Sequence, residues 1–142
     1  MVPEINYWAV LLATASSMLV GTIWYTPKVF GTRWAKLANV DMDRPASTAL
    51  LPIVTTVIVS FVTAWVLAGA SAIAWHFYGG PFFWGTIVTA VTLWAGFTAA
   101  RFITHDAFEG RPTSLTTLNI GHELVTVLVM AVLIGVWPPA LA

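Results

Sequence analysis

Four stretches of this chain, about residues 6–25, 48–75, 82–104 and 115–137, are long and apolar with almost no charge inside them. About 20 apolar residues in a helix cross a hydrocarbon core of about 30 Å. Lipid offers the backbone no hydrogen bonds, so a span must satisfy its own amides, as a helix does. A membrane β-barrel would show shorter segments of alternating polarity, and none is present. The sequence therefore predicts an all-α integral membrane four-helix transmembrane bundle, a single transmembrane domain over residues 1–142. Composition agrees, with 58% hydrophobic and 8% charged residues against about 25% charged in average soluble domains. No Lys/Arg cluster is large enough to read nucleic acid. The chain has no cysteine, which excludes disulfides and thiolate metal sites. Glu4 precedes the first apolar run and no basic residue does, so that run is expected to be a retained span rather than a cleaved signal.

The connections divide by charge. Lys28, Arg33, Lys36 and Arg44 fall between spans one and two, and Arg111 falls between spans three and four with Arg101 close before it. The turn between spans two and three, Tyr78-Gly79-Gly80-Pro81, carries no charge. Positive loops stay cytoplasmic, which predicts both termini outside. Tyr7, Trp8, Trp75, Tyr78, Trp84 and Trp137 would form the outer aromatic belt. Trp24, Tyr25, Phe30 and Trp34, with Pro27 ending the first span, would anchor the inner boundary. Phe30, Trp34 and Leu37 recur at helical spacing while Arg33 and Lys36 point elsewhere. This predicts a short amphipathic helix after the first span, lying in the inner interface.

Small residues step by four in three spans: Ala13, Ser17, Gly21; Ser60, Ala64, Ala68, Ala72; and Thr92, Gly96, Ala100, Thr104. Such ladders let helix backbones approach closely, either within one chain or between two copies.

An ionisable residue inside a span is expected to be paired or functional. Thr116, Asn119, Glu123, Thr126 and Met130 form one stripe on the last span. Thr98, Arg101 and His105 share a face on the third, below Trp94. Across the hairpin Arg101 lies nearly level with Asn119, one helical turn from Glu123, and is expected to reach that carboxylate, with Asn119 using its spare donors. Two uses follow for this intramembrane polar site of Arg101, His105, Asn119, His122 and Glu123: a helix-locking ion pair, or a proton or ion site. No metal centre is expected, because His105, Asp106, Glu109, His122 and Glu123 offer no paired-His helical spacing. Nor is a cofactor. The His122-Glu123 pair lacks the second His of a zinc-protease motif, and no phosphate loop or nucleophile elbow occurs. An enzyme is therefore not expected.

Two stretches carry a resemblance. Gly21-Thr22-Ile23-Trp24-Tyr25-Thr26-Pro27-Lys28-Val29-Phe30-Gly31-Thr32-Arg33-Trp34 resembles a G-x-x-W-Y-[ST]-P-x-x-F-G-x-x-W signature. Phe108-Glu109-Gly110-Arg111-Pro112, followed by Asn119, Gly121 and His122, is similar to an F-E-G-R-P turn with an Asn and then a His on the last helix. Both belong to the family known as domain of unknown function 1761. The resemblance implies a small four-span protein of a bacterial inner or plasma membrane, and it brings no activity with it. Glu123 departs from the family pattern, which has an apolar residue after the His, so the resemblance points to Asn119, His122 and Arg111. Glu109, Gly110 and Arg111 are expected to build the turn or touch lipid headgroups. The partners expected are the lipid bilayer and either further copies of the chain or the other subunits of a membrane complex. The function expected is a small homo-oligomeric transport or ion/proton-permeation protein; the alternative is a non-catalytic accessory or scaffold subunit of a larger membrane complex.

Overall fold

The computed structural model describes residues 3–41 and 45–140, and among them it contains helices and no strand. Arg44, one of the basic residues of the first connection, lies outside the described residues. Helix α1 runs Tyr7–Trp24, α2 runs Gly31–Ala38, and α3 runs Leu50–Tyr78 after a 3-10 turn at Ala46–Ala49. The third span is continuous over Phe82–Phe108 but has three parts: α4 (Phe82–Leu93), a π-helical segment (Trp94–Ala99) and α5 (Ala100–Phe108). Helix α6 runs Thr113–Gly135. α1, α3, the third span and α6 are each long and apolar enough to cross a membrane, which fits a multi-pass membrane protein.

Local chemistry sets the helix ends. The Asn6 side chain accepts from the amides of Trp8 and Ala9 and caps α1 as a good N-cap residue does. Pro52 falls in the first turn of α3, where a missing N–H costs nothing. α2 ends at Asn39 in a left-handed conformation with φ 53°, a common helix stop.

α1 packs on α3 and α6, α3 on α4, and α4 on α6, so consecutive spans are neighbours around a four-helix ring. The core is narrow because its residues are small: Ala9, Ala13, Ala64, Ala68, Ala90 and Ala131 are buried beside Val10, Leu67 and Met130. The ladders of the first two spans are used inside the chain. Ala13, Ser17, Ser60, Ala64, Ala68 and Ala72 are all buried. The third ladder is not, since Thr92, Gly96, Ala100 and Thr104 are all exposed. Large apolar side chains such as Leu51, Ile58, Val66, Val88 and Phe97 face outward, as lipid-facing positions do.

Buried hydroxyls in α1 are satisfied within their own helix. Thr14 donates to the Val10 carbonyl at 2.8 Å, Ser16 to Ala13 and Ser17 to Thr14, both at 2.7 Å. Side-chain hydrogen bonds between spans, among the described residues, fall elsewhere. Asn6 Nδ2 donates to the Trp137 carbonyl at 3.4 Å at the ends of α1 and α6. Trp94 Nε1 donates to the Ile120 carbonyl at 2.9 Å and Thr116 to Asp106 at 2.7 Å, both toward the opposite, basic end of the bundle.

Candidate functional site: a cleft at the basic end of the bundle

The first connection folds back on α1. Beyond Trp24 the Phe30 amide donates to the Trp24 carbonyl at 3.1 Å and the Gly31 amide to the Thr26 carbonyl at 2.9 Å. Gly31 is required for space: a Cβ there would overlap the Tyr25 carbonyl oxygen and sit 2.8 Å from the Thr26 carbonyl. The tight return stacks Phe30 on Trp24 (centroids 4.5 Å apart) and sets Trp34 edge-on to Tyr25 at 5.0 Å and 63°. α2 keeps the predicted amphipathic character, with Arg33 and Lys36 exposed and Trp34 and Leu37 half-buried. Its ring-bearing face meets the bundle itself. Trp24, Tyr25, Phe30 and Trp34, expected as interfacial anchors, are half-buried against one another, while Pro27 is exposed. An aromatic pair gains more from edge and tilted contacts than from area alone, which favours this clasp.

The rings close on His122 of α6. Its centroid is 5.0 Å from Tyr25 and 5.9 Å from Trp24. Both imidazole nitrogens are buried without a hydrogen-bond partner in the protein, and so is Trp24 Nε1. Glu123 Oε1 approaches His122 Nδ1 at 3.4 Å, outside good hydrogen-bond geometry. Buried polar groups are normally partnered, so this is the polar knot of the molecule with the most unused capacity.

The second connection is a compact charged turn. Gly110 has φ 66°, a left-handed conformation that glycine adopts freely. The Arg111 amide donates to the Asp106 carbonyl oxygen at 2.9 Å. Arg111 Nε donates to Glu109 Oε2 at 2.6 Å and lies 3.8 Å from Asp106 Oδ1. Its hydrogen bond to Glu109, and the charge of that carboxylate, raise the pKa of the Arg111 guanidinium above its ordinary value. Asp106 is buried, and Thr116 at the start of α6 donates to its Oδ2 at 2.7 Å.

Arg101 and His105, expected beside Glu123, are exposed on α5, and among the described residues Glu123 forms no ion pair with Lys or Arg. The predicted Arg101–Glu123 lock is therefore absent. The π segment explains the difference. At about 100° per residue, a regular helix would put Trp94 and Asp106 about 120° apart. A π turn takes up one extra residue and brings them to within about 20°. Trp94 then bonds Ile120, and Asp106, not Arg101, faces α6. The sequence pattern offers Asp106 only as a metal ligand. Among the described residues no three His, Asp or Glu side chains gather as a metal-holding group.

The two connections, α5 and α6 border an open cleft of about 220 Å³ lined by Tyr25, Trp34, Phe102, Arg111, Asn119 and Glu123. A second, largely apolar groove of about 430 Å³ runs on the other side of α6 past Trp24, Phe30, Arg33, Ser114, Thr117 and Gly121. The family model described as "Protein of unknown function (DUF1761)" matches residues 8–135. The chain belongs to that family. No curated protein and no solved structure matches it. Of the residues by which the chain resembles the DUF1761 family, Tyr25, Trp34, Arg111 and Asn119 line one cleft, with His122 packed on Tyr25. Phe108 instead points away, 91% exposed.

Proposed function

We propose that this protein is a small membrane transport protein that loads a proton or small ion from the cleft at its basic end. The observation that carries this reading is the pair of His122 and Glu123. An imidazole with two unpartnered nitrogens stands 3.4 Å from a carboxylate at the edge of an open cleft. Such a pair can accept and release a proton, and ionisable groups within spans are by default functional candidates. The rest of the stripe changes the geometry expected of a pathway. Thr116, Thr126 and Met130 are buried inside the chain, so the stripe does not line a channel between copies. Above the cleft Thr126, Met130 and Ala131 close the core, which suits a site loaded from one side. By the positive-loop argument that side is cytoplasmic, and both termini are outside. No catalytic role is proposed.

The exposed third ladder supports the homo-oligomer. A Cβ added at Gly96 would meet nothing within 4 Å, and a small-residue edge not used within a chain suits close approach of a second copy. The closed core also favours a second reading, a non-catalytic accessory subunit that only binds at the cleft. The test is proton flux into dye-loaded vesicles under an imposed pH gradient and membrane potential. Flux above empty vesicles that falls at least fivefold in His122→Ala and Glu123→Gln supports transport. Flux equal to that of empty vesicles refutes it and leaves the accessory reading. Native mass spectrometry, with oxidative cross-linking of Gly96→Cys, tests for the homo-oligomer.

A further inference from the structure

We infer that the cleft is an aromatic cage for a small organic ammonium group, with Glu123 as its counter-charge. The inference deepens the transport reading by naming a ligand class for the same site, and it rests on that reading only for the ligand being cargo.

The charges facing the cleft decide the sign of the ligand. Arg111 enters from the connection after α5, but Nε is bonded to Glu109 and lies 3.8 Å from Asp106. Two carboxylates thus offset its charge. Arg33 and Lys36 of α2 are exposed, and Arg33 lines the other groove. Arg101 and His105 of α5 are exposed and do not line the cleft. An anion would find no cation free of acidic neighbours. On α6, Glu123 has the imidazole of His122 and no Lys or Arg partner among the described residues. It is the charge left over in the cleft, and it calls for a cation.

The walls decide what kind of cation. Tyr25 and Trp34 meet edge-on at 5.0 Å and 63°, and Phe102 closes the cleft from α5. Aromatic side chains lining a cleft attract ammonium groups, and aromatic cages bind alkylated ammonium in this way. A bare metal cation of the hard class wants about six or more oxygen ligands, and of the lining side chains only Tyr25, Asn119 and Glu123 carry any oxygen. Size sets the scale. At about 30 Å³ per water-sized unit, 220 Å³ holds about seven such units. That is the scale of ethanolamine, choline or tetramethylammonium, and smaller than a drug-sized ligand needs. The Asn119 amide offers a hydrogen-bonding group beside the charge. The ammonium group could come free from solution or on a lipid headgroup, and the cage chemistry is the same for both.

The test uses the full chain in nanodiscs of phosphatidylglycerol, which carries no ammonium. Titration calorimetry with tetramethylammonium and choline, at low salt, is expected to give saturable binding. Glu123→Gln, and separately Trp34→Ala, should weaken it about tenfold or more, while Trp34→Phe keeps most of it. Circular dichroism confirms that each variant folds. In a second arm, phosphatidylethanolamine is added to the nanodiscs. Competition with choline, and lipid retained in native mass spectrometry, would assign the headgroup as the source; undisturbed choline binding would assign the free cation. Either supports the cage. No binding of any ammonium probe, binding unchanged in both variants, or binding of inorganic phosphate in its place overturns it. The transport reading fails separately: ammonium binding with no flux in loaded vesicles removes transport and leaves the cage, whereas proton flux with no ammonium binding does the reverse.

Discussion

Gly31→Ala tests the return of the first connection, on which both walls of the cleft depend. The added methyl would overlap the Tyr25 carbonyl oxygen and lie 2.8 Å from the carbonyl carbon and oxygen of Thr26. These are backbone atoms, so no side-chain rotation relieves the clash. Overpacking typically costs about 1–3 kcal/mol. Relief by opening the turn would strain the Gly31-to-Thr26 and Phe30-to-Trp24 amide bonds, each worth about 1 kcal/mol. The expected loss is therefore about 3 kcal/mol, a large share of ordinary folding stability. The assay is denaturation in mixed micelles followed by tryptophan fluorescence. Gly85→Ala serves as the control, since its Cβ would meet nothing within 4 Å, and it should stabilise by about 0.5–1 kcal/mol through helix propensity. In folded Gly31→Ala protein, Trp34 and Tyr25 should part and choline binding should weaken as well. If Gly31→Ala unfolds within about 0.5 kcal/mol of the unaltered protein, the tight return is not what holds this end together.

Thr116→Val should cost about 1.5–3 kcal/mol, because it removes a donor from a buried carboxylate, and Thr116→Ser should recover more than half; equal losses would show that the Asp106 bond contributes nothing. Deleting Gly96 should turn the π segment into regular helix and swing α5 by about 100°. The Thr116–Asp106 bond would be lost and stability would fall about as far as in Thr116→Val; unaltered stability would refute the register argument. Because the chain has no native cysteine, single cysteines at Gly80 and Glu109 report topology cleanly. An impermeant maleimide applied outside intact cells should label Gly80→Cys and spare Glu109→Cys, and the opposite pattern would reverse the orientation.

The four spans are legible because apolar length is a property of the sequence that lipid reads directly. The predicted spans and the observed helices differ by a few residues at their ends, most at Phe108, where the helix runs past the polar His105-Asp106 pair. Asp106 can stay in the helix there because Thr116 takes up its carboxylate. The cleft is half legible. Tyr25, Trp34, Arg111, Asn119, His122 and Glu123 all stand out in the sequence, but the pattern assigns the rings to lipid, and their clasp around His122 depends on a connection that folds back through Gly31. The pairing of Arg101 with Glu123 fails for one reason. It assumes 3.6 residues per turn through Trp94–Ala99, and nothing in Trp-Ala-Gly-Phe-Thr-Ala announces a π turn. The same extra residue that hides Asp106 from the pattern also keeps Thr92 and Thr104, twelve positions apart, within about 20° on one exposed edge.

α3 stands apart in how it is fastened. Among the described residues it makes no side-chain hydrogen bond to another span. The hydroxyls of Thr56 and Thr63 bond within α3 itself, and Trp75 Nε1 reaches only the Gly80 carbonyl in the turn that follows. Its buried edge of Ser60, Ala64, Ala68 and Ala72 meets its neighbours through shape alone. A long apolar helix of this kind is stable in the bilayer before it meets a partner. Its docking is governed by the fit of small and apolar side chains, with Trp75 set edge-on to Phe82 of α4, while the ion pairs among the described residues lie on α5, α6 and the second connection.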